Sequence, residues 1–233
     1  MRAEDLDRLL APLPSGRHGL SREHVERSQR TRLLSAAIAV AGTDGYAAMT
    51  VSAVIARANV SRKTFYEQFA DREACFLAAY GLLLERGVAR IRATYAREPD
   101  WPAGVRRSLA LALAALARHP HEARVVFVEA LAAGPRGWAL RDRAVRELAP
   151  LLAPGFEAAP AGAAVPASMP RAVAGALCEL IGARVRDGRA EELPELLPDL
   201  LFCVLAPFVG PAAARDALAP GSPARATLCQ SRA

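Results

Sequence analysis

Apolar positions along this chain recur at intervals of three and four residues, and no stretch alternates in the way a half-buried strand does. Leu34, Ala37, Ile38 and Ala41 form the first stripe. Ser21 is placed to cap that helix, Gly42 to stop it, and Asp44-Gly45 to turn the chain. Val51, Val54 and Ala58 form a second stripe, and Phe65 and Phe69, four apart, the inward face of a third helix. From 72 to 96 one pattern runs without proline through Phe76, Ala79, Tyr80, Leu83, Leu84, Val88 and Ile91, and Pro99 and Pro102 end it. Further helices are predicted over 103–118, 121–133 and 138–152, and from a Ser168 cap to about residue 185. Pro194 is read as opening the last, which carries Leu197, Leu200, Leu201, Val204 and Leu205. The Pro/Ala/Gly-rich segment 154–167 reads as a loop. The predicted fold class is all-α.

The stretch 50–72 is the most informative. Thr50 caps a short helix, and Asn59 tolerates the left-handed backbone needed to leave it sharply. Val60 plugs the turn, Ser61 caps the next helix, and Asp71 caps a third that Arg72 opens. With Phe65 and Phe69 turned inward, Arg62, Lys63, Thr64, Tyr66 and Gln68 face outward. Cationic, hydroxyl, phenol and amide groups are the chemistry that meets phosphates and base edges. An ordinary hairpin in a helical bundle has no use for them in this order.

This order of caps, turn and aromatic pair resembles the helix-turn-helix of the TetR family of bacterial transcriptional regulators, over about residues 28–75. Ser61, Thr64, Phe65, Tyr66, Phe69, Asp71 and Arg72 fall on the family's positions. Ile55 stands where a small alanine is usual and Asn59 where glycine is usual. The resemblance implies that Arg62, Lys63 and Thr64, near the start of the recognition helix, approach the major groove beside Ser61. It implies phosphate contacts from Tyr66 and Gln68, and from Thr50 and Arg72 at neighbouring helix N-termini. It also implies a homodimer on a palindromic operator, a small effector, and a ligand-responsive repressor.

Four segments follow: a loose arm over 1–20, a DNA-binding unit over 21–75, a helical effector-binding and dimerisation region over 76–218, and a disordered tail over 219–233. Phe76, Tyr80, Tyr95, Phe127 and Trp138 are candidates to line a pocket for a largely apolar effector, although in sequence an aromatic lining a pocket looks the same as one filling a core. Leu177, Leu180, Ile181, Leu197, Leu201 and Val204, on the last two helices, are candidates for an intersubunit four-helix bundle, with burial in the chain's own core as the alternative.

Composition adds little. In 233 residues the net charge is +6 and 52% are hydrophobic, which suits a large core and an anionic partner. Lys63, on the recognition helix, is the only lysine. Cys75, Cys178, Cys203 and Cys229 are scattered, and His119 and His121 flank one proline, so no metal site and no cofactor is expected. The N-terminus has no apolar signal core and no run is long enough to span a membrane, which points to the cytoplasm. No phosphate-binding glycine loop or catalytic constellation stands out, so the chain is not expected to be an enzyme. Two rival readings remain open: a helical ligand-binding dimer acting through protein contacts without DNA, and a small all-helical enzyme.

Overall fold

Side-chain caps set the first helix boundaries in the computed structural model, which describes residues 21–218; the arm 1–20 and the tail 219–233, with Cys229, lie outside the described residues. Helix α1 (Arg22–Asp44) starts at Ser21, whose Oγ accepts from the His24 amide at 3.2 Å. It runs past Gly42 and ends at Gly45, where φ is +90°. Gly42 therefore does not stop the helix as its sequence suggests. A Cβ there would stand 2.6 Å from the His121 carbonyl oxygen, so α1 meets the later chain backbone to backbone and only glycine fits. Helix α2 (Val51–Ala58) is capped by Thr50, which accepts from the Ala53 amide at 3.1 Å, and is closed by Asn59 at φ 51°. Helix α3 (Arg62–Gln68) follows from Ser61, and α4 (Arg72–Tyr95) from Asp71, whose Oδ1 accepts from the Ala74 amide at 2.7 Å.

Beyond α4 the helices are less regular than their periodicity predicts. Asp100 caps α5 (Trp101–Arg118), which begins two residues before the predicted start. The stretch predicted as one helix over 121–133 is α6 (Pro120–Arg124), a π-helical turn (Val125–Glu129) and α7 (Ala130–Ala132). Helix α8 (Gly134–Leu148) tightens into a 3₁₀ turn (Ala149–Leu152). Part of the expected loop is helical, as α9 (Pro154–Ala158). Helix α10 (Met169–Arg186) gains no cap from Ser168, whose backbone is already helical rather than extended and whose hydroxyl makes no capping bond. Pro194 lies inside a 3₁₀ turn (Ala190–Leu196) instead of opening a helix, and α11 (Leu197–Val209) continues from that turn. After Gly210 a helix not predicted from sequence, α12 (Pro211–Leu218), packs back on α11. Among the described residues there is no strand, and no helix is long and apolar enough to cross a membrane.

Three apolar clusters hold these helices. The first joins α1 to α4 around Leu33, Met49, Val54, Phe65, Phe76 and Tyr80, and takes in Val125, Ala130 and Ala133 from the later chain. The second surrounds Trp101, Leu201, Val204 and Phe208, and the third Leu113, Ile181, Leu193 and Leu200.

These clusters correct part of the expected dimer surface. Leu201 and Val204 are each 1% exposed in the second cluster, and Ile181 is buried in the third. Leu177 and Leu197 are half-buried against the same clusters. Their stripe satisfies this chain's own core. Only Leu180, 40% exposed, points outward.

Candidate nucleic-acid interface

Two aromatic rings fix the recognition helix. Phe65 is fully buried and Phe69, at the end of α3, is 5% exposed, with their centroids 5.9 Å apart. Arg30 of α1 lies over the Phe69 ring at 4.6 Å and donates to the Gln68 carbonyl at 3.4 Å, closing the C-terminal end of α3 against α1. At the other end Ser61 Oγ accepts from the Thr64 amide at 3.0 Å and lies 2.9 Å from Thr64 Oγ1. Arg62 Nη2 donates to Ser52 Oγ at 2.9 Å and so ties α3 to α2.

Locking the inner face leaves the outer one free. The Lys63 side chain is 86% exposed, and among the described residues its ion pair is a 3.9 Å contact to Glu67. Tyr66 is 51% exposed, its ring edge-on to Phe65 at 5.4 Å. Thr50, Ser61 and Arg62 are exposed, and Thr64 and Gln68 half-buried. Beside the turn, a concavity of about 350 Å³ is walled in part by Arg32, Arg57 and Asn59. Arg57 makes no ion pair among the described residues, which adds positive charge beside the turn. Cation, phenol, hydroxyl and amide groups thus share one rigid face that can meet phosphate oxygens and base edges together.

Arg72 differs from the other expected contact residues. Its Nη1 donates to the carbonyls of Tyr46, Ala47 and Met49 at 3.2, 3.3 and 2.9 Å, and its guanidinium lies over the Tyr46 ring at 5.1 Å. The side chain is committed to holding the α1–α2 loop, so any approach to phosphate falls to the backbone N–H at the start of α4. Arg30, Ser52, Tyr46 and Glu129 also build this unit and have no local signature, since each acts on a partner distant in sequence. Glu129 Oε2 accepts from the Tyr46 amide at 2.7 Å across 83 positions.

The five aromatics expected to form a pocket are not brought together. Phe76 and Tyr80 lie in the first cluster, Tyr95 packs in the second with its ring over Gly104, and Phe127 leans on the third. Trp138 is 49% exposed beside Arg141. Phe76 and Tyr80 stack on each other at 6.4 Å, while Tyr95, Phe127 and Trp138 lie at three separate places. Tyr80 has one unusual property: its hydroxyl is fully buried with no hydrogen-bond partner among the described residues, near Arg141 and Cys178, and burial pushes its pKa up to about 12. Cys75 is fully buried, its thiol likewise pushed up to about 12, so it is an inert core residue. His119 and His121 belong to no metal-binding group among the described residues; His121 Nδ1 lies 3.3 Å from the Gly42 carbonyl, at the α1–α6 contact.

A capped helix-turn-helix with an inward aromatic lock and an outward cationic face, feeding a long helix into a larger helical body, defines a DNA-binding transcriptional regulator. The profile of bacterial regulatory proteins of the tetR family matches residues 33–79. Solved structures extend the likeness to the fold. The fatty acid degradation regulator FadR of Bacillus halodurans aligns at TM-score 0.68 and 19% identity over 76% of this chain and 94% of its own. FadR of Bacillus subtilis, in complex with stearoyl-CoA, aligns at 0.64 and 16% identity over 77% and 97%. The multidrug binding protein EbrR, complexed with imidazole, aligns at 0.54 and 23% identity over 74% and 94%. No curated protein matches the chain in sequence. The chain is a DNA-binding transcriptional regulator whose N-terminal domain, over residues 33–79, is that of the tetR-family bacterial regulatory proteins, and whose fold is shared with these solved structures.

Proposed function

We propose that this regulator works as a homodimer on a palindromic operator and leaves DNA when a small, largely apolar effector binds the region 76–218, so that it acts as a repressor. The role is regulatory rather than catalytic, and a cytoplasmic location suits it. The observation that carries the reading is α4. It starts at the Asp71 cap, grips the α1–α2 loop through Arg72, and reaches Tyr95 in the second cluster without a break. Its 24 residues span about 36 Å. A ligand that prefers one packing of the C-terminal helices shifts the population towards it and moves α4. Two recognition helices then no longer match major grooves about 34 Å apart. Genome-wide mapping of bound sites tests this, followed by titration of the recovered duplex at several salt concentrations. A steep fall of affinity with salt is the expected result. A protein that enriches no sites would support action through protein contacts instead.

The proposed subunit interface is the outer side of α10, where Ala172, Ala176 and Leu180 are exposed four residues apart, together with the neighbouring outer side of α11. Leu180→Glu is expected to give a folded monomer by light scattering, with much weaker operator binding because one half-site supplies too few contacts. A variant that remains dimeric and fully active would move the interface elsewhere.

For the effector we propose a seat near Tyr80, between α4, α8 and α10, where its unpartnered hydroxyl could donate to a polar group on an otherwise apolar ligand. The FadR complex with stearoyl-CoA is one example of this fold holding a ligand with a long apolar chain. Tyr80→Phe removes a buried hydroxyl that no group among the described residues satisfies. It is expected to stabilise the free protein to urea by about 1–3 kcal/mol while weakening the effector response. A loss of stability would show that a buried water already satisfies the hydroxyl.

A further inference from the structure

A buried carboxylate is tolerated where its oxygens are satisfied, and Glu129, 8% exposed, satisfies both of its own at the contact between the two halves of the molecule. Oε2 accepts from the Tyr46 amide at 2.7 Å, and Oε1 accepts from Arg124 Nε at 2.8 Å. Gly45 lies against the carboxylate: a Cβ there would stand 3.4 Å from Oε2. The α1–α2 loop is therefore held from two sides, at the Tyr46 amide by Glu129 and at the Tyr46 carbonyl by Arg72 of α4.

Glu129 closes the π-helical turn Val125–Glu129, and that turn looks both ways. Val125, with Ala130 just after it, packs in the first cluster beside the helix-turn-helix. Phe127 and Val128 pack on the third cluster; Phe127 Cβ stands 3.8 Å from where a Cβ on Gly182 of α10 would lie. A π turn holds one residue more than an α turn and is often a functional insertion in an α-helix. Passing that residue along the chain rotates the neighbouring side chains by about 100° around the helix axis. Such a step would carry Glu129 off the Tyr46 amide.

We propose that this turn is the joint through which the C-terminal half sets the helix-turn-helix, with Glu129 as the positioning residue that engages the loop in the DNA-binding arrangement. The proposal rests on the DNA-binding reading and adds a second route beside α4. A shift of α10 is felt at Phe127, changes the π turn, and releases or engages Tyr46 without contact between effector and DNA.

The test uses the full chain and the duplex recovered by site mapping. Hydrogen exchange at the Tyr46 amide and operator affinity are measured for wild type, Glu129→Ala, Glu129→Gln and Phe127→Ala. Glu129→Ala is expected to speed Tyr46 exchange about tenfold or more. It should weaken operator binding about 5- to 150-fold, with helical content and subunit mass unchanged. Glu129→Gln keeps an oxygen for the Tyr46 amide and should stay close to wild type, a rescue that generic loss of stability does not give. Phe127→Ala, which faces α10 and not the loop, should also speed Tyr46 exchange; if it does not fold, Phe127→Leu replaces it. Wild-type exchange or affinity in Glu129→Ala overturns the proposal. So does a folded Phe127 variant whose Tyr46 amide exchanges as in wild type. If wild type binds no duplex, the DNA reading fails by itself, while the exchange arm still decides whether the turn reaches Tyr46.

Discussion

Phe65→Ala should destabilise the protein by about 3–5 kcal/mol, whereas Lys63→Ala and Tyr66→Ala on the same helix should cost less than about 1 kcal/mol and weaken operator binding instead. Phe65 is fully buried, packed on Phe69 and inside the first cluster, so truncating it opens a cavity in the core that α1 to α4 share. Lys63 stands in solvent, and Tyr66, half exposed, meets the core only edge-on at Phe65. Urea unfolding and operator titration on the three variants separate the classes. The assignment of faces fails if Lys63→Ala and Tyr66→Ala both bind operator normally, or if Phe65→Ala unfolds as wild type does.

Arg72→Ala should cost about 2–4 kcal/mol, more than its half-exposed position suggests. Hydrogen bonds from a charged donor contribute about 1.5–3 kcal/mol each, but three carbonyls share one nitrogen, so the contributions do not add. Stacking on Tyr46 adds about 0.5–1 kcal/mol. Arg72→Lys should recover part of this, since an ammonium reaches a carbonyl but lacks the planar face. Loss of operator affinity should follow loss of loop order, seen as faster exchange over residues 46–49. Weakened DNA binding with unchanged stability and exchange would mean that the guanidinium turns outward to phosphate after all.

These two residues also mark where sequence reading succeeds and where it stops. Thr50, Asn59, Ser61 and Asp71 signal their helix ends by local chemistry, and Phe65 and Phe69 signal the inner face by spacing, so the helix-turn-helix is legible from 23 consecutive residues. The direction of the Arg72 side chain is not legible, because its acceptors are loop carbonyls whose position depends on how α1 packs. The apolar stripe of α11 is equally ambiguous. Leu201 and Val204 satisfy it within the chain, and nothing in a single sequence distinguishes that core from a partner's surface. The π turn escapes detection because 121–133 keeps a helical period, and one extra residue shifts the phase without breaking it. The five aromatics have the right chemistry for a pocket, but only Phe76 and Tyr80 share a cluster, and the other three are used elsewhere.

The first apolar cluster has a bearing on protein engineering. Val125 is fully buried, Ala130 is 2% exposed and Ala133 is 9% exposed among the side chains of α1 to α4. The DNA-reading module is therefore not a self-contained cassette. Cutting the chain after residue 75 and grafting the first piece onto a foreign sensor would strip one wall from its core and leave Gly42 facing whatever backbone replaced His121. The natural unit of exchange is discontinuous: residues 21–80 together with the stretch from His121 to Ala133. A chimera that carries both pieces keeps its hydrophobic wall and its Glu129 latch, while a chimera spliced at the linear boundary begins life with a hole.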